Sequence, residues 1–314
     1  MGRRIITAAA AVAGVVLLVF AAVAWYFAGE IGRQALTVQH SVDTDRNVYR
    51  GDPWEAHGIP FRAVAVTSAL GDFPAWLTAG DSTTWAVLIH GKGEDRTEML
   101  RVLPVFAERG IPTLTITYRN DPGAPASPSG RYGFGADEWE DLEAAATYAL
   151  QNGAQRLILV GYSMGGAVAL SFVYRSPLAE HVAGLVLDSP ALDFEDGLDA
   201  RAAAMGVPRM MTAAAKVAAA VRFGLRYRDM DYTEPAWSLW VPILLIHGTA
   251  DTEVPKALSD RLAAAVQESF MQYEVFSGAG HVNAWNYDRE RYEEAVRALI
   301  DRAVERPPKG DGLP

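Results

Sequence analysis

The chain contains no cysteine, which removes a disulfide framework, a thiolate nucleophile and any cysteine-based zinc site. Basic residues are also short: 28 Lys and Arg face 38 Asp and Glu, for a formal charge of −10. A surface of that sign repels polyanions, so nucleic acid is excluded as a partner. The six histidines show no metal-ligand spacing, and no metal or other cofactor is expected. Apolar residues, by contrast, fill half of the 314 positions, enough for one large core.

Much of that apolar content is concentrated at the start. Ile5 to Phe27 run without a charge, interrupted only by Thr7 and Gly14. Roughly 20 apolar residues cross a bilayer core, so residues 1–28 read as a single transmembrane anchor. Arg3 and Arg4 precede the run and Glu30 follows it, which keeps the basic end cytoplasmic and exports the rest of the chain. A cleaved signal peptide stays open, because Ala22-Val23-Ala24 also reads as a processing site; the rest would then be secreted.

Residues 29–60 are polar and mixed, and read as a juxtamembrane linker. From Phe61 to the C-terminus, short apolar runs alternate with helical stretches in one domain, 61–314. Strands are expected at 61–67, 74–78, 85–90, 113–118, 156–161, 183–188, 243–247 and 271–276. Five are continuous Val/Ile/Leu-rich runs, the pattern of strands covered on both faces of a parallel sheet. Helices are expected at 97–109, 137–151, 164–174, 255–267 and 288–304, the second capped by Asp137 with Glu140 three residues on. Such alternation predicts a doubly wound, mostly parallel eight-stranded α/β sheet whose ligand crevice lies at the carboxyl ends of the strands. About fifty residues, 189–240, break the alternation and read as an inserted helical cap.

Chemistry-bearing residues fall just after strands. Leu157 to Val160 lead into Gly161-Tyr162-Ser163-Met164-Gly165, the G-x-S-x-G pattern, and then into a helix. A serine hydroxyl needs such a sharp strand-to-helix turn to stand exposed, and the helix N-terminus favours developing negative charge. Asp251 lies in the loop after 243–247, where a carboxylate could accept the Nδ1–H of a histidine. Asp188, at the end of the preceding strand, is the rival acid. His281 follows the last strand in Ser277-Gly278-Ala279-Gly280, whose glycines give an imidazole the freedom to reach the serine. His90 and His247 each end a strand in a His-Gly pair and read as packed structural residues.

These motifs resemble the α/β-hydrolase superfamily, whose triad runs Ser, acid, His along the chain. The resemblance implies Ser163 as nucleophile, Asp251 as acid and His281 as base. Following His90-Gly91, it also implies that the backbone N–H groups of Lys92 and Met164 form an oxyanion hole. Tyr118-Arg119-Asn120-Asp121 with Asp137 to Glu143 is similar to a bacterial, membrane-anchored, lysophospholipase-like branch. The expected activity is cleavage of a small or lipid-like carboxylic ester. Peptide cleavage or acyl transfer on the same triad, and a binding module that has lost turnover, remain as alternatives. In the cap, Met205, Met210, Met211, Val217 and Val221 are spaced as helix faces; Met210 and Met211 are candidate walls of an acyl pocket, with ordinary packing as the alternative.

Overall fold

The structure, a computed structural model, describes residues 2–40, 42–43 and 46–305. Met1, positions 41, 44 and 45 of the expected linker, and residues 306–314 of the expected domain lie outside the described residues. The longer helices are α1 (Gly2–Ile31), α2 (Trp139–Gln151), α3 (Met164–Arg175), α4 (Phe194–Ala204), α5 (Arg209–Phe223), α6 (Lys256–Ala265) and α7 (Arg289–Glu305). The strands are β1 (Phe61–Ser68), β2 (Gly71–Thr78), β3 (Thr84–Ile89), β4 (Thr113–Ile116), β5 (Arg156–Tyr162), β6 (Val182–Asp188), β7 (Ile243–Gly248) and β8 (Met271–Phe276).

The strands form one sheet in the order β1-β2-β4-β3-β5-β6-β7-β8. Only the pairings of β2 are antiparallel; β3 through β8 pair in parallel. Because successive side chains of a strand face opposite ways, the central runs feed two cores. Val87, Ile89, Leu157, Leu159, Leu185 and Leu245 lie in one, and Leu88, Ile158, Val160, Val186, Leu244 and Ile246 in the other. β3, β6 and β7 are buried along their whole length.

Two local expectations differ. The expected helix 97–109 is a 3₁₀ stretch (Arg96–Arg101) followed by a one-turn helix (Leu103–Ala107), because Pro104 has no N–H to continue the first element and suits the opening of a new one. Asp137 does not cap α2. Glu138 stands at that N-cap, and its carboxylate turns back to accept the N–H groups of Gly133 and Gly135 at 2.6 and 2.8 Å.

The chain divides into two compact units, one of residues 38–193 and 230–314, the other of 1–37 and 194–229. The sheet unit therefore starts earlier than the expected boundary at Phe61. Hydrogen bonds tie His40 and His57 there: His40 Nε2 meets the Asn120 carbonyl and His57 Nε2 the Leu100 carbonyl, both at 2.8 Å. The insertion is also narrower than 189–240, since the Tyr232 hydroxyl donates to the Phe134 carbonyl and its N–H to the Leu192 carbonyl.

In the other unit, α1 packs against α5 along a stripe of small residues. Ala24, Ala28 and Gly32 are buried, and a Cβ on Gly32 would lie 2.3 Å from the Phe223 ring. The Arg222 guanidinium lies 5.3 Å from the centre of the Trp25 ring. In the middle of α1, Val12, Val15, Val16, Leu17, Leu18 and Val19 are all exposed. It is the one helix among the described residues long and apolar enough to cross a membrane.

Candidate active site

β5 delivers Ser163 to the start of α3 in a strained conformation, φ +50° and ψ −115°. The turn closes only without side chains. A Cβ on Gly161 would lie 2.4 Å from the Gly165 carbonyl oxygen, and one on Gly165 would lie 2.2 Å from that of Ile89. Ser189 (φ +47°) and Val282 (φ +48°) are strained too, and the three are stitched together. The Ser163 N–H donates to the Asp188 carbonyl at 2.9 Å, and the Val282 N–H donates to Ser189 Oγ at 3.2 Å. Strain persists only where the surroundings over-determine it, and here it aims one hydroxyl.

His281 Nε2 lies 2.9 Å from Ser163 Oγ, and His281 Nδ1 lies 2.8 Å from Asp251 Oδ2. Asp251 is fixed in turn: Oδ1 accepts the N–H groups of Glu253 and Val254 at 2.8 and 2.9 Å, and His247 Nε2 lies 3.2 Å from Oδ2. Burial alone would raise the Asp251 pKa. Hydrogen bonds from His247 and His281 override it and hold the carboxyl well below the usual range. For His281, burial favours the neutral ring, but the hydrogen bond and charge of Asp251 prevail and raise its pKa.

The loop after β3 runs beside the nucleophile, since a Cβ on Gly91 would lie 3.3 Å from Ser163 Cβ. The Gly91 carbonyl accepts from His90 Nδ1 at 2.8 Å and from the Tyr118 hydroxyl at 3.0 Å. Peptide planarity then points the Lys92 N–H the opposite way. His90 is fully buried, with Nε2 2.8 Å from Asp121 Oδ2; burial disfavours its charge, but Asp121 prevails and lifts its pKa to about 9. Its two ring nitrogens face an acceptor each, the Gly91 carbonyl and the Asp121 carboxylate, an arrangement that favours the charged ring. The His-Gly pair was the only sequence signal for this residue, and nothing in the pattern marked Asp121 as its partner.

Ser163, Asp251 and His281 thus converge, with Met164 opening α3 directly after the serine. Asp188 is buried; its Oδ1 accepts from the Ser189 hydroxyl at 3.2 Å, and its Oδ2 has no hydrogen bond among the described residues. Met210 and Met211 lie on α5, Met210 at 76 % exposure and Met211 partly buried.

An eight-stranded, mostly parallel sheet with a strained serine between strand and helix is the α/β-hydrolase architecture. The chain belongs to the α/β hydrolase family, whose profile matches residues 86–298, more than half of it. An uncharacterized protein of Mycobacterium tuberculosis is 28 % identical over 71 % of this chain and 72 % of its own length. The uncharacterized protein YfhR of Escherichia coli K12 is 25 % identical over 71 % and 73 %. Among solved structures, the esterase Pf2001 of Pyrococcus furiosus aligns with a TM-score of 0.64 at 19 % identity, covering 85 % of this chain and 98 % of that one. A puromycin-hydrolyzing peptidase of M. tuberculosis aligns with a TM-score of 0.59 at 20 % identity, over 83 % of this chain and 41 % of its own. At such identities the structural likeness is one of fold.

Proposed function

We propose that this protein is a membrane-anchored serine hydrolase that cleaves small or lipid-like carboxylic esters. Ser163 Oγ attacks the ester carbonyl while His281 Nε2 takes its proton. The Lys92 and Met164 N–H groups stabilise the oxyanion, and Asp251 orients the imidazole and stabilises its charged form. His281 then returns the proton to the departing alcohol, leaving an acyl-Ser163. Water, deprotonated by His281, releases the acid and restores the hydroxyl. No cofactor enters this cycle. The observation that carries the reading is the unbroken Ser163–His281–Asp251 hydrogen-bond chain on a strained turn.

The test is fluorophosphonate labelling together with a series of p-nitrophenyl esters of graded chain length. Ser163→Ala should label no longer and lose on the order of a millionfold in kcat, as removal of a triad serine does elsewhere. Failure of the wild type to label would point to a binding module; turnover of amides over esters would favour a peptidase, and transfer to added alcohols an acyltransferase. The anchor reading is supported by the exposed apolar face of α1, and its orientation, with the catalytic domain outside the cytoplasm, by Arg3 and Arg4 before the apolar run and Glu30 after it. It expects the full chain to pellet with membranes through a carbonate wash; a mature N-terminus near Trp25 in a soluble fraction would establish a cleaved leader instead.

A further inference from the structure

Arg46 lies in the stretch whose composition reads as a spacer, yet its side chain reaches both loops that the proposed chemistry needs. Its Nη2 donates to Glu94 Oε1 at 2.6 Å and lies 3.5 Å from Glu98 Oε1, and its Nη1 donates to the backbone carbonyl of His281 at 3.4 Å. Glu98 Oε2 accepts the Gly91 N–H at 2.7 Å, one residue before Lys92. A second strand of the same network runs through Arg101. That guanidinium donates to the Val282 carbonyl at 2.9 Å and to Asn47 Oδ1 at 2.8 Å, while Asn47 Nδ2 donates to Glu94 Oε2 at 2.7 Å. Its planar face lies 5.2 Å from the ring centre of Tyr162, the residue before the nucleophile.

The set holds two guanidinium groups and two carboxylates, all largely buried, so its formal charges cancel. Buried charges persist only when paired, and the partners here include Glu94 in the loop after β3 and the His281 and Val282 carbonyls in the loop after β8. The loops after β3 and β8 are otherwise short, irregular backbone. Arginine suits the junction because its fork can address carboxylates and a carbonyl at once.

We propose that Arg46 is a positioning residue: by bridging Glu94 and Glu98 to the His281 carbonyl, it sets the distance between the oxyanion loop and the catalytic base. This rests on the serine-hydrolase reading above. The stretch after the apolar helix is then part of the active site's frame. A displacement of about 1 Å at reacting groups can cost about a hundredfold in rate, so a modest loosening has a measurable consequence.

The test uses the full chain, as wild type, Arg46→Gln and Arg46→Lys, with fluorophosphonate labelling, kcat and KM for one p-nitrophenyl ester, and their pH profiles. Arg46→Gln should lower kcat by about tenfold to a hundredfold with KM within about twofold, and Arg46→Lys should recover part of the loss. The pH profile adds a readout that a general loosening of the fold would not move. Besides burial, which lowers the His281 pKa, the groups facing that ring are Asp251 and Glu253, which raise it, Arg46, which lowers it, and Asp188 and Ser163. Loss of the Arg46 charge should therefore shift the acid limb of kcat/KM to higher pH. Wild-type kcat and an unmoved acid limb in folded Arg46→Gln protein would overturn the proposal. Should that variant fail to fold, Arg46→Lys must itself show a kcat loss at constant KM, and a wild-type kcat there overturns it equally. If the wild type does not label at all, the hydrolase reading falls first and this inference with it.

Discussion

Two neighbouring strands each lead to a carboxylate, Asp188 at the end of β6 and Asp251 in the loop after β7, and the two groups have opposite surroundings. Asp251 accepts two backbone N–H groups on one oxygen and meets two imidazoles on the other. Asp188 is as deeply buried, but its nearest donor is the Ser189 hydroxyl at 3.2 Å, and one oxygen has no partner among the described residues. Burial lifts its pKa to about 6, tempered by the charges of Arg101 and His281, whereas Asp251 is held low despite burial. The lesson is that depth alone does not make a catalytic acid. Hydrogen-bond donors aimed at the charged form also matter: Asp251 has four groups placed for this, Asp188 a single hydroxyl.

The largest effect that could break this contrast is on turnover. Asp251→Asn should lower kcat by about ten-thousandfold, because an amide stabilises the wrong tautomer and cannot balance an imidazolium. Asp188→Asn should stay within about tenfold, since that side chain makes no hydrogen bond to the ring among the described residues; the reverse ranking in folded protein would move the acid to β6.

Stability should respond in the opposite sense. The folded pKa of Asp188, about 6, lies above its ordinary value of 3.8, so the native state prefers the protonated form. No penalty exists below the unfolded pKa; it grows as pH rises from about 4 to 6 and is complete above that. Asp188→Asn should therefore stabilise the fold at pH 8 by up to about 3 kcal/mol and give little below pH 4. Denaturant titrations of both chains at the two pH values measure this, and an equal change at each pH would show that the carboxyl charge is not the cause.

A smaller effect sharpens the β7 side. His247 supports Asp251 from the same strand end and is itself fixed by Ser259 Oγ at 2.8 Å. His247→Gln removes one of several contacts to the carboxylate; at about 1 kcal/mol for a net hydrogen bond, kcat should fall about fivefold. A loss as large as that of Asp251→Asn would make His247 indispensable to the acid.

The sheet was legible because five of its strands are continuous Val/Ile/Leu-rich runs that suit burial on both faces, and all eight strands appear close to where they were expected. Ser163 and His281 were legible because glycines around them leave few other backbone uses. Between Asp188 and Asp251 the residue pattern alone kept a rival open, since both follow buried strands; the resemblance favoured Asp251, which lies 2.8 Å from the His281 ring. Arg46, Glu94 and Glu98 were invisible for a related reason. Each is an ordinary charged residue in sequence, and the network exists only once Arg46 and Asn47 lie against Glu94 and Arg101.

The smallest expected effect concerns the chain between those two strands. Met210 was a candidate wall for an acyl chain, but α5 buries Thr212, Ala215 and Ala219 while Met210, Val217 and Val221 stand at 76 %, 67 % and 77 % exposure. A side chain that open loses little on becoming polar, so Met210→Asp should change stability by no more than about 0.5 kcal/mol. For detergent-solubilised protein, its KM for acetate and for medium-chain esters should then match the wild type. Met211 is partly buried and makes the stricter control, because Met211→Asp can disturb packing and so lower activity on short and long esters alike. A KM that rises only for the longer esters, in either variant, would show that this helix meets the acyl chain during turnover and would restore the pocket that its exposed face argues against.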